Sequence, residues 1–384
     1  MDRYLWMIEA RQTAGLTFAE SAFSGIEVRQ SNNPKNRPLV SVCMPHLNSR
    51  PFTEERMETI IRQTLSDWEL IIVDSNSDDG SRKILENYAE KDARIRIIEA
   101  PRDGIYANLN RAIALCAGEY VYIATSDDTM VSTCLEEMVE ALNQNPNCGV
   151  AHCCLEIINE HGVPVDSSIA WENWLQQKYF GEWIHIPHVR QAPHDGLLHF
   201  GLYTIYTSLT QLLIRRRVFQ ELGLFRTDCS PYADFEWGMR VGLNENVVHV
   251  PHKLATWRRH TQQATRSEQM LRTEARGEFR RLVREALKSL NARKPTLAKA
   301  LRQSDLNRFY LAGEVRARKL LAGSTFARFI VMGAFAARHP LYCFRWLFYK
   351  IFRKETVTGE FFDRVRGEFA RLGLTNLVYK FDRC

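Results

Sequence analysis

The stretch that decides the fold is Tyr120-Val121-Tyr122-Ile123-Ala124-Thr125-Ser126-Asp127-Asp128. Its first five residues are apolar, the length of one buried strand, and the run ends in two adjacent carboxylates. A strand that delivers paired acids to its carboxyl end is a common way to hold a divalent cation against a phosphate. Two upstream stretches read alike: Val40-Ser41-Val42-Cys43-Met44-Pro45 and Leu70-Ile71-Ile72-Val73-Asp74 are short buried strands that run into polar loops. Between them Glu54 to Gln63 sets Met57, Ile60 and Ile61 at helical spacing, and after the second Ser81 to Ala89 repeats the pattern with Ile84, Leu85 and Tyr88. Alternating strand and helix predict an α/β fold with a mostly parallel sheet covered on both faces. Ligands of such sheets sit beyond the carboxyl ends of the strands, where Asp74, Asp127 and Asp128 all fall.

Four ordered segments extend the pattern. Pro45-His46-Leu47-Asn48 follows the first strand, and Val73-Asp74-Ser75-Asn76-Ser77-Asp78-Asp79-Gly80-Ser81 spans the end of the second. Gly104-Ile105-Tyr106-Ala107-Asn108-Leu109-Asn110 comes next, and Ala117-Gly118-Glu119-Tyr120 leads into the acidic strand. Together they resemble the inverting glycosyltransferases of family 2, collinearly over about residues 38 to 265. The resemblance implies a GT-A fold, Rossmann-like, and a nucleotide-diphosphate sugar donor (a UDP-, GDP- or dTDP-sugar). It also implies Mn2+ or Mg2+ as cofactor and a glycan or lipid-linked acceptor, with bacterial surface polysaccharide synthesis as the process served.

By that resemblance the donor site draws on Pro45, Asn48, Asp74, Ser77, Asp79, Asn110, Asp127 and Arg258, and the metal on Asp127, Asp128 and His260. The chemistry suits these residue types. A carboxylate at Asp74 can accept from the N–H edge of a uracil or guanine ring. A cation held by Asp127 or Asp128 neutralises the charge that gathers on the departing diphosphate. The sequence departs from the family twice: Thr125 takes the first acidic position of the metal strand, and Ser75 the second Asp of the base-binding loop.

The resemblance places the catalytic base in the second half, where Gly223-Leu224-Phe225 precedes Tyr232-Ala233-Asp234-Phe235-Glu236-Trp237-Gly238-Met239-Arg240. Asp234 is the matching acid and Glu236 a second choice. Trp257-Arg258-Arg259-His260 resembles a further family segment beside the donor phosphates. Each acid also has a simpler reading. Asp127 and Asp128 suit the amino-terminal cap of a helix over Val131 to Leu142, and Asp234 that of a helix running to Leu243. Ser77 to Ser81 would make an ordinary turn and cap.

Charge divides the chain. Residues 271 to 384 hold 25 Lys and Arg against 10 Asp and Glu, while the remainder holds 26 against 35. The expected organisation is therefore an amino-terminal helix or linker (1–37), a GT-A domain (38–265, its donor half ending at 150), and a basic helical module (266–384). Within that module Glu268 to Leu290 and Leu297 to Leu321 read as helical, and Leu341 to Lys354 mixes aromatic residues with cations. That mixture suits either an interfacial helix on anionic lipid or a helix packed on the domain with snorkelling cations. No nucleic-acid motif accompanies the basic bias.

Nine cysteines, an odd number, and a charged Met1 to Ala10 lead to the expectation of a reduced, cytoplasmic protein, at the inner membrane face if the basic tail contacts lipid. Cys148 to Cys154 lacks a second Cys-x-x-Cys half and is expected to be a strand, not a zinc site. Asp166 to Arg217, rich in Trp and His, is where an acceptor would be read. Two rivals remain: a sugar nucleotidyltransferase, whose glycine-rich phosphate loop Met44 to Arg50 lacks, and a catalytically silent glycan-binding scaffold.

Overall fold

The structure, a computed structural model, describes residues 37–165, 179–202, 205–229, 232–261, 278–303 and 359–381, with the helical positions 333, 337 and 340. Strands β1 (Val40–His46), β2 (Trp68–Asp74), β3 (Ile95–Glu99) and β4 (Tyr120–Ile123) lie parallel in the order β3-β2-β1-β4. Helices α1 (Arg50–Ile61), α2 (Ser81–Ala89) and α3 (Ile105–Ala114) connect them, and α4 (Cys134–Gln144) follows β4. Strands β5 (Cys148–Asn159), β6 (His188–Arg190), β7 (Leu212–Arg215), β8 (Asn246–Arg259) and β9 (Val378–Lys380) continue the sheet beyond β4 in the order β7-β5-β8-β6-β9. Among these nine strands, β6 and β7 run against the rest, so the sheet is mostly parallel as expected.

Side chains alternate across the strands, and both faces are covered. Val40, Val42, Met44, Leu70 and Ile72 pack with Met57 and Ile60 of α1 and with Leu135 and Met138 of α4. Cys43, Ile71, Val73, Val121 and Ile123 face the other way, onto Leu109 and Ile113 of α3. Burying each such side chain contributes about 1.5–3 kcal/mol, which fixes the register strongly. Gly118 sits where an added Cβ would stand 2.7 Å from the Ser41 backbone nitrogen, so β4 can approach β1 there with glycine alone.

Two helix boundaries differ from the sequence reading. α1 opens at Arg50, earlier than Glu54, because Pro51 in its first turn is preset for helix. α4 opens at Cys134, later than Val131, because Val131 donates its N–H to the Leu254 carbonyl at 2.9 Å and Met130 bridges Ala255. Thr133 is therefore the cap of α4, and Asp127 and Asp128 are free of that duty. Cys148 to Cys154 forms the start of β5, as expected.

The second half adds α5 (His194–Leu202), α6 (Arg216–Leu222) and α7 (Ala233–Gly242); the basic stretch adds α8 (Glu278–Arg293), α9 (Pro295–Gln303) and α10 (Gly359–Arg371). Leu282, Val283, Ala286 and Leu290 of α8 join the same core as α7. Phe369 of α10 meets the His194 ring at 5.6 Å, and β9 pairs with β6. The described parts of the basic stretch are thus built onto the core and sheet. Residues 1–36, Trp171, Trp174 and Leu341 to Lys354 lie outside the described residues. Among the described residues no helix is long and apolar enough to cross a membrane.

Candidate active site

The loops after β1 and β2 are sewn together at the carboxyl edge of the sheet. Asn48 and Asn76 both take left-handed backbone conformations, φ 48° and 54°, which asparagine tolerates better than most residues. The Asn48 amide donates to Asp78 Oδ1 at 2.7 Å and accepts from the Asp78 N–H at 2.9 Å, while its own N–H donates to Ser77 Oγ at 3.0 Å. Asp79 accepts from the N–H of Arg50 at 2.8 Å and of Ser81 at 2.9 Å, so its carboxylate ties the starts of α1 and α2 together. Arg102 donates to the carbonyls of Ser75 and Asn76 and to Asp78, holding the loop from outside. No motif in the sequence pointed to Arg102.

Asp74 ends β2 and is fully buried. Ser77 Oγ donates to its Oδ1 at 2.6 Å, and the Ser77 N–H and Arg82 Nη1 donate to its Oδ2 at 3.2 and 3.3 Å. Its carboxylate therefore shapes the Ser75–Gly80 loop and meets the crevice through Ser77 and Arg82, where the resemblance implied direct contact with a base. Pro45 is likewise buried in β1. Next to it His46 packs against Ser81 Oγ at 2.9 Å, and burial lowers its pKa although Asp74 and Asp79 pull the other way.

After β4 the two neighbouring acids part company. Asp127 faces outward, and its Oδ2 lies 2.9 Å from His260 Nε2; the side chains are 23% and 10% exposed. Asp128 is enclosed, 1% exposed, accepting from the Arg258 N–H at 2.7 Å and from Thr125 Oγ1. Burial first, and the Asp127 charge second, push it up to about 7. Asp128, implied as a metal ligand, is thus turned into the protein and spent on β8. Arg258 is also withdrawn: its guanidinium donates to the carbonyls of Asp127, Asn159 and Glu160 and to Glu55, and lies over the Phe52 ring. It braces the β4–β8 junction instead of facing the crevice.

Asp234 stands in the first turn of α7. It is open to solvent yet ringed by protein, and this crowding raises its pKa against the pull of the Phe235 N–H at 2.7 Å and the Tyr106 hydroxyl. Glu236 faces inward and is bound at both oxygens by Arg240, at 2.9 and 2.8 Å, which removes it as a base. Asn110 is not turned to a donor: its amide donates to the Phe225 carbonyl at 2.7 Å and accepts the Phe225 N–H at 3.0 Å. Asn108, which sequence reasoning passed over, is 1% exposed and its amide donates to Ser75 Oγ.

Residues 41–201 match the family described as Glycosyl transferase family 2. The chain carries a family 2 glycosyltransferase domain. It is 39% identical over 108 residues to an uncharacterised glycosyltransferase, EpsJ, of Bacillus subtilis, a match covering 28% of this chain and 31% of that one. It is 25% identical over 158 residues to a GalNAc(5)-diNAcBac-PP-undecaprenol beta-1,3-glucosyltransferase of Campylobacter jejuni, covering 39% and 51%. The matches thus span about a third to a half of these relatives' lengths. In fold it is similar to Staphylococcus aureus TarS 1-349 in complex with UDP-GlcNAc, with a TM-score of 0.57, 16% identity, and 77% and 80% of the two chains covered. The GT-A architecture is thereby established.

In the second half of the chain, the histidine-rich segment turns inward. Arg190 and Asp195 form a buried pair, with Arg190 Nε 2.8 Å from Asp195 Oδ1, joined by His194 at 2.9 Å and the Tyr206 hydroxyl at 2.9 Å. The rings of His188 and His249 meet tilted, with centroids 4.6 Å apart, and His249 Nδ1 lies 3.3 Å from His152 Nδ1. Burial lowers the pKa of His152, His188, His194, His199 and His249, so these rings are neutral. His188, His194, Asp195 and His199 are therefore core residues; Trp183 is half-buried and His185 exposed.

Proposed function

We propose that the protein is an inverting glycosyltransferase that moves a sugar from a nucleotide-diphosphate sugar to a hydroxyl of a glycan or lipid-linked acceptor, in assembly of a bacterial surface polysaccharide. The observation that carries this reading is the pairing of an outward Asp127 with His260 at the end of β4, inside a family 2 domain. The Asn48–Asp78 and Asp74–Ser77 contacts supply a rigid wall for the nucleotide, which limits the ordering cost of binding.

One carboxylate oxygen and one imidazole nitrogen, both accessible, fit Mn2+ or Mg2+ that takes its other ligands from diphosphate and water. Among the described residues no cluster of three such groups exists, so the donor must complete the site. The cation supplies charge neutralisation for the leaving diphosphate. Asp234 takes the proton of the acceptor hydroxyl, whose oxygen forms the new bond to the anomeric carbon as the carbon–oxygen bond to diphosphate breaks and its electron pair leaves with the nucleotide. A base crowded by protein and raised above the ordinary carboxylate value suits that task.

The lipid-linked specificity of the Campylobacter relative supports an acceptor of that kind. Release of nucleoside diphosphate from UDP-, GDP- and dTDP-sugars with Mn2+ tests the reading. Wild type is expected to release one of them, and Asp234→Asn to do so on the order of 100-fold more slowly or worse. Release from none would favour the glycan-binding scaffold.

A further inference from the structure

Gly104, with φ 103°, turns the chain into α3, and Tyr106 occupies its first turn with its ring buried. That ring stacks on Phe225 at 5.8 Å, and Phe225 stacks on Trp237 of α7 at 4.9 Å. One turn on, Asn110 clamps the Phe225 backbone in both directions. A helix of the donor half thus grips the turn that leads into α7. At the end of the stacked ring, the Tyr106 hydroxyl donates to the Asp234 carboxylate and accepts the Asp234 backbone N–H.

We propose that Tyr106 is the positioning residue for the catalytic base: its hydroxyl fixes the Asp234 carboxylate in one orientation and couples that orientation to the donor half. The proposal rests on Asp234 being the base. Stacking on Phe225 holds the phenol ring, so its oxygen is placed with little rotamer freedom. Burial and the facing carboxylate push the phenol well above the ordinary tyrosine range, so it stays a donor throughout the working pH range. The other titratable group felt by the phenol is the buried Cys229 thiol. A hydrogen bond to an ionised carboxylate favours the charged form, and a base held in one orientation reacts as a preassembled partner.

Tyr106→Phe keeps the stacked ring and deletes the hydroxyl. In full-length protein carrying 13Cγ-labelled aspartate, the Asp234 resonance, identified by its loss in Asp234→Asn, is expected to titrate about one pH unit higher in Tyr106→Phe than in wild type. The acidic limb of nucleotide release is expected to move the same way, with KM for the sugar nucleotide unchanged. In wild type the pairing also predicts a slowly exchanging Tyr106 hydroxyl proton that disappears in Asp234→Ala, a readout that survives poor folding of the Phe variant. An unshifted Asp234 midpoint, or a rapidly exchanging hydroxyl, would overturn the positioning role. Undiminished release by Asp234→Asn would overturn the base assignment instead, and the titration would still decide the pairing.

Discussion

His260 Nε2 lies 2.9 Å from Asp127 Oδ2, although 133 residues separate them in the chain. β8 brings this about: it runs beside β5 and delivers His260 just past its end, facing the loop after β4. The adjacent Asp128 points the opposite way, into the Arg258 backbone, so the two neighbouring carboxylates have different surroundings.

That division predicts separable mutants. Asp127→Ala and His260→Ala are expected to remove the Mn2+-dependent part of nucleotide binding while leaving the melting temperature nearly unchanged. Asp128→Ala is expected to lower stability by about 1–3 kcal/mol, because the buried Arg258 N–H loses its acceptor. Calorimetric titration with and without Mn2+, beside thermal melts, separates the two. Equal loss of metal dependence in all three would contradict the assignment.

Arg258 predicts a similar distinction between brace and phosphate contact. Its guanidinium binds three carbonyls and Glu55 from a fully buried position. Arg258→Lys is expected to cost about 2–3 kcal/mol in denaturant melts, since lysine lacks the planar fork and Glu55 is half exposed. A variant of wild-type stability with weakened nucleotide affinity would put Arg258 in the crevice after all.

The buried histidines predict a pH dependence of stability. All five have folded-state pKa values below the ordinary value of about 6.5, His199 down to about 4 and His188 to about 3. As pH falls below about 6.5, the unfolded chain therefore binds protons that the fold excludes, and stability drops by up to about 1.4 kcal/mol per unit for each histidine. Asp128, raised to about 7, acts in the opposite sense between about pH 4 and 7, and Asp234, also raised, acts in the same direction as Asp128, two groups against five. Melts between pH 7.5 and 5 are expected to show a steep decline; a flat profile would mean that the cluster is open to water.

The strands and the acids at their ends were legible because burial on both faces writes a continuous apolar run that breaks sharply into polar loops, as at Val73-Asp74 and Ile123 to Asp128. The direction in which each loop side chain points was not legible. Asn110 is claimed by Phe225, 115 residues away, and Asp128 by the Arg258 backbone, 130 residues away; such partners follow from tertiary packing. Asp79 and Asn48 matched the family motif, yet their carboxylate and amide hold loops together. The basic stretch was read as a module of its own because charge marks composition, while attachment depends on the few apolar residues of α8 and on the β6–β9 pairing.

The central claim, a nucleotide-sugar site built around Asp127, is most directly tested by the thermal stability of the full chain with UDP, GDP and dTDP, each with and without Mn2+, in wild type and Asp127→Ala. The account predicts a Mn2+-dependent rise in melting temperature for one nucleotide, lost in the variant. No rise with any nucleotide, or an equal rise in Asp127→Ala, would contradict it.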